Sequence, residues 1–178
     1  MEIIPTTLEG VKILRPRIFS DVRGTFVKTF HAPGFQAAGL DFVPQEEFFS
    51  VSRSSVVRGM HFQLPPHSQA RLVTCLTGKI LDVIVDLRRH APTYGRTWSH
   101  ALNAGTRELL FVPEGFAHGF LSLADDTLVS YVASRPHSPA HDAGIAWNSI
   151  GFDWPVPAPI LSERDQKFPL LRDFLSPF

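Results

Sequence analysis

Covalent cross-linking is the first thing this sequence lacks. Its 178 residues include one cysteine, Cys75, so no disulfide can form within the chain, which suits a reducing compartment. Cys75 lies in the apolar run Leu72-Val73-Thr74-Cys75-Leu76, where a thiol is expected to be buried and inert. Net charge is also missing, because 17 Lys plus Arg balance 17 Asp plus Glu. Broad binding to nucleic acid or to a membrane surface needs a basic excess, although a local basic pocket for a small anion is compatible with neutrality. No run approaches the roughly 18 apolar residues of a membrane span. Residues Met1-Glu2-Ile3-Ile4-Pro5 show no basic stretch followed by an apolar one. No signal peptide is visible, and a cytoplasmic location is expected. No repeat, low-complexity tract or linker divides the chain, so one domain over residues 1–178 is expected.

Proline and phenylalanine, in contrast, each occur 15 times. Prolines spread along the chain oppose long helices and favour short strands with turns. Asp21-Val22-Arg23-Gly24 reads as a turn, with an alternating strand from Thr25 to Phe30 after it. One short helix is expected within residues 31–40, ended by Gly39. Strands are expected at Glu46–Ser52, Arg71–Leu76, Lys79–Leu87, Arg96–Asn103, Glu108–Pro113, His118–Leu123 and Thr127–Ser134. Asp82 and Asp86 interrupt the most apolar of these at even spacing, so both point to one face. Turn signals every 8–12 residues mean a sandwich or barrel. The tail after Trp154 reads as irregular, with one helical turn near Ser162–Lys167.

Three segments carry chemistry. In Arg58-Gly59-Met60-His61-Phe62-Gln63, His61 and Gln63 share a strand face. The histidine is a core residue, a metal ligand or a base. Arg58, Gln63 and the nearby Arg71 crowd it with polarity that an apolar core would not accept without a ligand. Pro113-Glu114-Gly115-Phe116-Ala117-His118-Gly119 resembles the second half of the cupin signature. The first half wants His-x-His, and His61-Phe62-Gln63 puts glutamine at the second histidine, leaving a metal set incomplete. Leu161-Ser162-Glu163-Arg164-Asp165 alone reads as a solvated charged turn.

Together these segments resemble the dTDP-4-dehydrorhamnose 3,5-epimerase family. The strongest matches are Val57 to Gln63, Asp82 to Arg88 with Ala91-Pro92-Thr93-Tyr94-Gly95, Val112 to Phe120, and Ile145-Ala146-Trp147-Asn148. The resemblance implies an all-β, cupin-type double-stranded β-helix, or jelly-roll barrel, with short peripheral helices. It implies a homodimer that shares N-terminal strands, no metal and no organic cofactor. It implies a nucleotide-diphosphate sugar as the partner molecule. His61 would be the base and Asp165 would hold its ring. Arg23 and Arg58 would lie near the nucleotide and its phosphates, Phe26 near the nucleobase and His118 in the sugar pocket, with Gln63 and Arg164 as further substrate-binding residues. These residue types fit proton abstraction beside a ketone. Histidine, with an ordinary pKa of about 6.5, is a base at working pH. A carboxylate fixes its tautomer, and a cation such as Arg71 stabilises the enolate.

The chain departs from the family at five positions. Arg71 replaces a lysine. The family's acid on the opposite sugar face is a tyrosine, and counting from Tyr131 to Ser138-Pro139 puts His137 at that position. His137 either donates as imidazolium or leaves one carbon uninverted. Lys28 replaces glutamate, Glu46 replaces glutamine and Phe48 replaces asparagine, all where the nucleotide is read. Lys28 and Glu46 either pair with each other or read a different base, which opens guanosine and cytidine diphosphates beside thymidine. The expected activity is epimerisation of a nucleotide-diphospho-4-keto-6-deoxy sugar at carbon 3, carbon 5 or both, with Tyr131 a further catalytic candidate. The competing readings are a metal cupin of oxygenase type using His61 and His118, and a non-catalytic sugar-nucleotide binder. Metal analysis of the purified protein separates the first of these: the epimerase retains activity after chelation, whereas stoichiometric iron, zinc or manganese required for activity would mark the oxygenase type.

Overall fold

Prolines and turn residues cut the chain into short extended segments, and the computed structural model, which describes residues 1–178, is built almost entirely from strands. In chain order these are β1 (Glu2–Pro5), β2 (Lys12–Arg15), β3 (Ile18–Asp21), β4 (Gly24–Val27), a helix α1 (Ala32–Ala37), β5 (Glu46–Ser52), β6 (Val57–Gln63), β7 (Arg71–Thr77), β8 (Lys79–Asp86), β9 (Thr97–Asn103), β10 (Leu109–Val112), β11 (Phe116–Ser122), β12 (Thr127–Ala133) and β13 (Asp142–Gly144). Six of them form one sheet in the order β1-β2-β10-β7-β12-β5, and five form another in the order β13-β6-β11-β8-β9. Strands β3 and β4 make a separate hairpin around the expected turn at Val22-Arg23. The two large sheets face each other as the expected cupin-type jelly roll.

Side-chain parity explains the layering. Ile80 and Ile84 of β8 enter the core between the sheets, with Val73 and Cys75 of β7 and Phe116 and Phe120 of β11. The alternate residues Val83 and Val85 pack outward against Met60, Phe62 and Ile145. Both faces of β8 are therefore covered, which accounts for its nearly unbroken apolar run. The outer face of the six-stranded sheet is covered by Phe35 of α1 and by Phe42, which meets Phe111 edge-on at 6.1 Å. The outer face of the other sheet is covered by the tail, through Phe152, Trp154, Phe174 and Phe178. Cys75 is buried, with its pKa raised to about 11, mainly by that burial.

Strands β1, β2, β3 and β13 were not expected. They are three or four residues long, too short for alternation to register, and β1 ends in Pro5, which an edge strand tolerates. The strand from Thr25 stops at Val27 rather than Phe30, because Phe30 turns in to meet Phe35 at 4.8 Å.

One irregularity sets up the site. Along the pairing of β6 with β11, His118 faces His61 but Phe120 faces Arg58, so three steps of β6 match two of β11. The bulge lets Arg58 and His61 line one cleft, where regular pleating would put them on opposite faces. Gly59 sits at the bulge with φ of +152°, and a Cβ there would lie 2.7 Å from the Cα of Gly119. Gly59→Ala should therefore cost about 2 kcal/mol or more of stability. Urea midpoints measure this, and an unchanged midpoint would mean the strands separate freely at this point.

Candidate active site

Two histidines stand side by side on the inner face of the five-stranded sheet, His61 on β6 and His118 on β11. Each is bonded to a carboxylate through Nε2. His61 reaches Asp165 Oδ1 at 2.8 Å, and His118 reaches Asp82 Oδ2 at 2.8 Å. An ionised carboxylate only accepts, so in both pairs Nε2–H is the donor and Nδ1 is left as the acceptor. The expected partnership of His61 with Asp165 is thus present across 104 residues of chain.

Asp165 begins a 3-10 turn, Asp165–Lys167, and is 3% exposed. Burial alone would raise its pKa. The hydrogen bonds from His61 and from the backbone N–H of Gly59, the latter at 3.1 Å, hold it down at about 2. The carboxylate is therefore charged across the ordinary pH range. His61 is displaced downward from its usual value, first by burial and then by the cations Arg164 and Arg71, with Asp165 pulling the other way. A neutral imidazole in a mostly enclosed site is the resting state. Phe168 packs edge-on to its ring at 5.7 Å, and Gly144 makes room for Phe168, since a Cβ there would fall 2.4 Å from that ring.

Tyr131 on β12 completes the inner wall. Its ring meets His118 edge-on at 6.0 Å and stacks flat on Phe48 of β5 at 4.8 Å. Burial, followed by the charge of Asp82, raises its pKa well above the ordinary phenol value, against the opposing pull of Arg71. The phenol therefore stays protonated. Arg71, at the start of β7, has its own pKa lowered by burial and raised by Tyr131 and Asp142, yet guanidinium remains cationic. The site thus combines a neutral imidazole oriented by an anion, a guanidinium cation and a protonated phenol.

Several expected site residues are placed differently. Gln63 is 2% exposed and spent on the backbone. Its Nε2 donates to His67 O at 2.7 Å, and its Oε1 accepts from the Ser138 N–H at 2.6 Å. It ties down the 136–138 loop, so its amide is engaged by the backbone and not directed at a sugar, unlike the expected substrate contact. His137 is exposed on that loop, where its backbone N–H donates to the Glu46 carboxylate; the phenol inside the barrel is Tyr131. Glu46 makes no ion pair with Lys28. Lys28 instead lines a cavity of about 450 Å³ with Arg17, Phe19 and Phe26, away from His61. Arg23 is 86% exposed at its side chain and pairs with Asp21 at 2.6 Å on the hairpin. Arg58 is anchored to Ser52 Oγ at 3.0 Å. Arg164 contacts both Asp165 and His61.

Three residues without an expected role belong to the site. Asp82 holds His118, Asp142 pairs with Arg164, and Phe168 braces His61. Asp82 carried a signal, since a carboxylate inside an apolar strand demands a partner. Its Oδ1 is buried without a hydrogen-bond partner. No group of three or more His, Cys, Asp or Glu side chains lies close enough to hold a metal ion; His61 and His118 are each occupied by a carboxylate.

Comparison with known proteins adds chemistry to this geometry. The family model described as dTDP-4-dehydrorhamnose 3,5-epimerase matches residues 5–173. The enzyme of that name from Methanothermobacter thermautotrophicus is 42% identical over 177 residues, covering 96% of this chain and 94% of the relative. The crystal structure of the Bacillus anthracis enzyme with TDP and pyrophosphate bound superposes with a TM-score of 0.93 at 38% identity, covering 96% of this chain and 99% of the other. ChmJ, a 3'-monoepimerase from Streptomyces bikiniensis in complex with dTDP-quinovose, superposes with a TM-score of 0.89 at 33% identity, covering 95% and 87%. A second ChmJ structure, with dTDP, has a histidine replaced by asparagine and a tyrosine 70 positions later replaced by phenylalanine.

The electrostatics of His61 are directly testable. In Asp165→Asn the carboxylate that favours the charged ring is gone while burial remains, so His61 should titrate at lower pH than in the wild type. NMR of the imidazole reads this, and an unchanged titration would mean that Asp165 does not control the ring.

Proposed function

The chain belongs to the dTDP-4-dehydrorhamnose 3,5-epimerase family, and on that premise we propose how its own residues invert a sugar carbon. It is an isomerase, an epimerase of a nucleotide-diphospho-4-keto-6-deoxy sugar in deoxysugar biosynthesis. The observation that carries the mechanism is the 2.8 Å bond between His61 and Asp165, on the sheet that faces the one bearing Tyr131 and Arg71.

Hydrogen beside a ketone is acidic because the electron pair left behind spreads onto oxygen. His61, neutral at rest, takes that proton at the ring nitrogen not bonded to Asp165, and Asp165 stabilises the imidazolium that results. The C–H bond breaks, and the charge becomes an enolate oxygen stabilised by the Arg71 guanidinium. Inversion needs a proton from the opposite face. Tyr131 supplies it: burial keeps the phenol protonated until transfer, and Arg71 eases the phenolate that follows. Exchange with solvent returns the proton from imidazolium to phenolate. Tyr131 is favoured over His137 because its ring lies inside the barrel. The histidine and tyrosine replaced in ChmJ are 70 positions apart, the same separation as His61 and Tyr131.

Arg58 lies in the cleft beside His61 and would offer the diphosphate the N–H donors not spent on Ser52 and Val51. Thymidine is the favoured base, since relatives were solved with TDP and dTDP-quinovose, and Lys28, Glu46 and Phe48 would adjust how it is read. The hairpin β3–β4 carries Arg23 and Phe26 away from His61, with Phe26 62% exposed. Strand β5 leaves an edge unpaired at the border of its sheet. These two features support a homodimer in which the hairpin completes the partner's site. A cytoplasmic role in building a surface polysaccharide or a natural product fits this activity.

Proton NMR in deuterated water with dTDP-, GDP- and CDP-linked 4-keto-6-deoxy sugars tests the reading. Deuterium should enter carbon 3, carbon 5 or both, fastest with the dTDP sugar. His61→Ala should abolish entry, and Tyr131→Phe should slow inversion by about a hundredfold or more. Absence of exchange with every substrate in the native protein would sink the proposal.

A further inference from the structure

Asp165 does not have His61 to itself. Nη2 of Arg164 lies 2.9 Å from His61 Nε2, the same ring nitrogen that Asp165 Oδ1 approaches at 2.8 Å. With the Nε2–H donated to Asp165 and Nδ1 left as the acceptor, Arg164 acts on the ring as a cation in contact with it. The carboxylate favours the charged imidazolium and the guanidinium favours the neutral ring, so the two neighbours favour opposite charge states.

Arg164 is fixed in this position from several sides. Its Nη1 pairs with Asp142, and its Nε lies 3.4 Å from Asp165. Its guanidinium carbon stands 5.5 Å from the centre of the Phe168 ring, the ring that also braces His61. Asp142 is itself set by register, because β13 pairs with β6 so that Asp142 faces Gln63 and Gly144 faces His61. The contact is thus built by three chain segments that meet at His61.

We propose that Arg164 is a positioning residue that holds His61 uncharged in the free enzyme, opposing Asp165, so that the ring is ready to accept a proton when substrate arrives. This rests on the reading of His61 as the base. The other charged or titratable groups around the ring are Arg71 from β7, Arg58 from β6, His118 from β11 with Asp82 from β8, and Tyr131 from β12. Among these, Arg71 is a second cation acting in the same sense, whereas Arg164 is in direct contact. Without Arg164, Asp165 would act unopposed at Nε2, and the ring would hold a proton at higher pH. A protonated base cannot take the sugar's hydrogen, so the acidic limb of kcat/KM would move with it.

Two readouts test this in Arg164→Gln, Arg164→Met and Arg164→Lys: the imidazole titration of His61 by NMR without substrate, and the pH dependence of kcat/KM for deuterium entry. Met keeps the stem against Phe168 without the charge, which guards against loss of folding in the Gln variant. Both neutral variants should move the titration and the acidic limb together to higher pH. A histidine with the ordinary pKa of about 6.5 is roughly one quarter neutral at pH 6 and almost wholly neutral at pH 8, so a ring shifted that far would lose about fourfold in exchange between pH 8 and pH 6. Arg164→Lys keeps the charge and should stay near the wild type in both. A rise in KM with titration and limb unmoved in the neutral variants would overturn the proposal and leave Arg164 a substrate contact. An equally large shift in the Lys variant would also overturn it. Absence of exchange in the wild type would remove the proposed reaction, while the substrate-free titration would still decide the role of Arg164.

Discussion

The bond between His61 and Asp165 is the constraint on which the rest of the site depends. It joins a barrel strand to the tail, and neither segment would orient the imidazole alone. The tail is guided there by a run of backbone contacts. Ile160 pairs with Val56 in parallel, its carbonyl accepts the Val57 N–H at 3.0 Å, and the Asp165 N–H donates to Ser162 Oγ at 3.1 Å. Further on, Phe168 fills the space left by Gly144. Each contact is modest, about 1 kcal/mol or less net for a hydrogen bond, but together they bring a buried anion to one ring nitrogen.

Around that bond the barrel is divided by polarity. One part is sealed by Ile80, Ile84, Leu102, Leu110 and Val129. The other holds His118, Asp82, Tyr131 and Arg71, which burial would destabilise if they were left unpaired. Pairing resolves most of it: His118 satisfies one oxygen of Asp82, and opposite charges lie near Tyr131. The remaining buried Asp82 oxygen shows that the polar part of the barrel is less completely satisfied than the apolar part. Such incomplete pairing is common where a protein keeps groups for chemistry instead of stability.

Much of this was legible in the sequence, and the reasons for the rest are physical. Strands with clean alternation or a long apolar run, such as Glu46–Ser52 and Lys79–Asp86, were readable because period two survives over seven or eight residues. The strands β1, β2, β3 and β13 were not, because three or four residues leave no period to see. The pairing of His61 with Asp165 was legible through the resemblance, whereas counting from Tyr131 to Ser138-Pro139 pointed to His137 for the acid, although it is the Tyr131 ring that lies inside the barrel. The bulge in β6 was not, since nothing in Arg58-Gly59-Met60-His61 announces that three residues will span two; only Gly59 hints at a close approach. Gln63 misled because its spacing places it on the correct face while its amide is consumed by the 136–138 loop. Asp142 and Phe168 were illegible because their meaning comes only from the crossing of tail and strand.

The late position of Asp165 has a consequence for synthesis. Every barrel strand from β1 to β13 precedes it in the chain, so the sheets can assemble while translation is still under way, with His61 in place and unsupported. Only when the later segment that carries Asp165 emerges and lies across the barrel does the imidazole gain its anion. A nascent chain halted between β13 and Asp165 would therefore hold the strands of the barrel but leave Nε2 of His61 without its carboxylate.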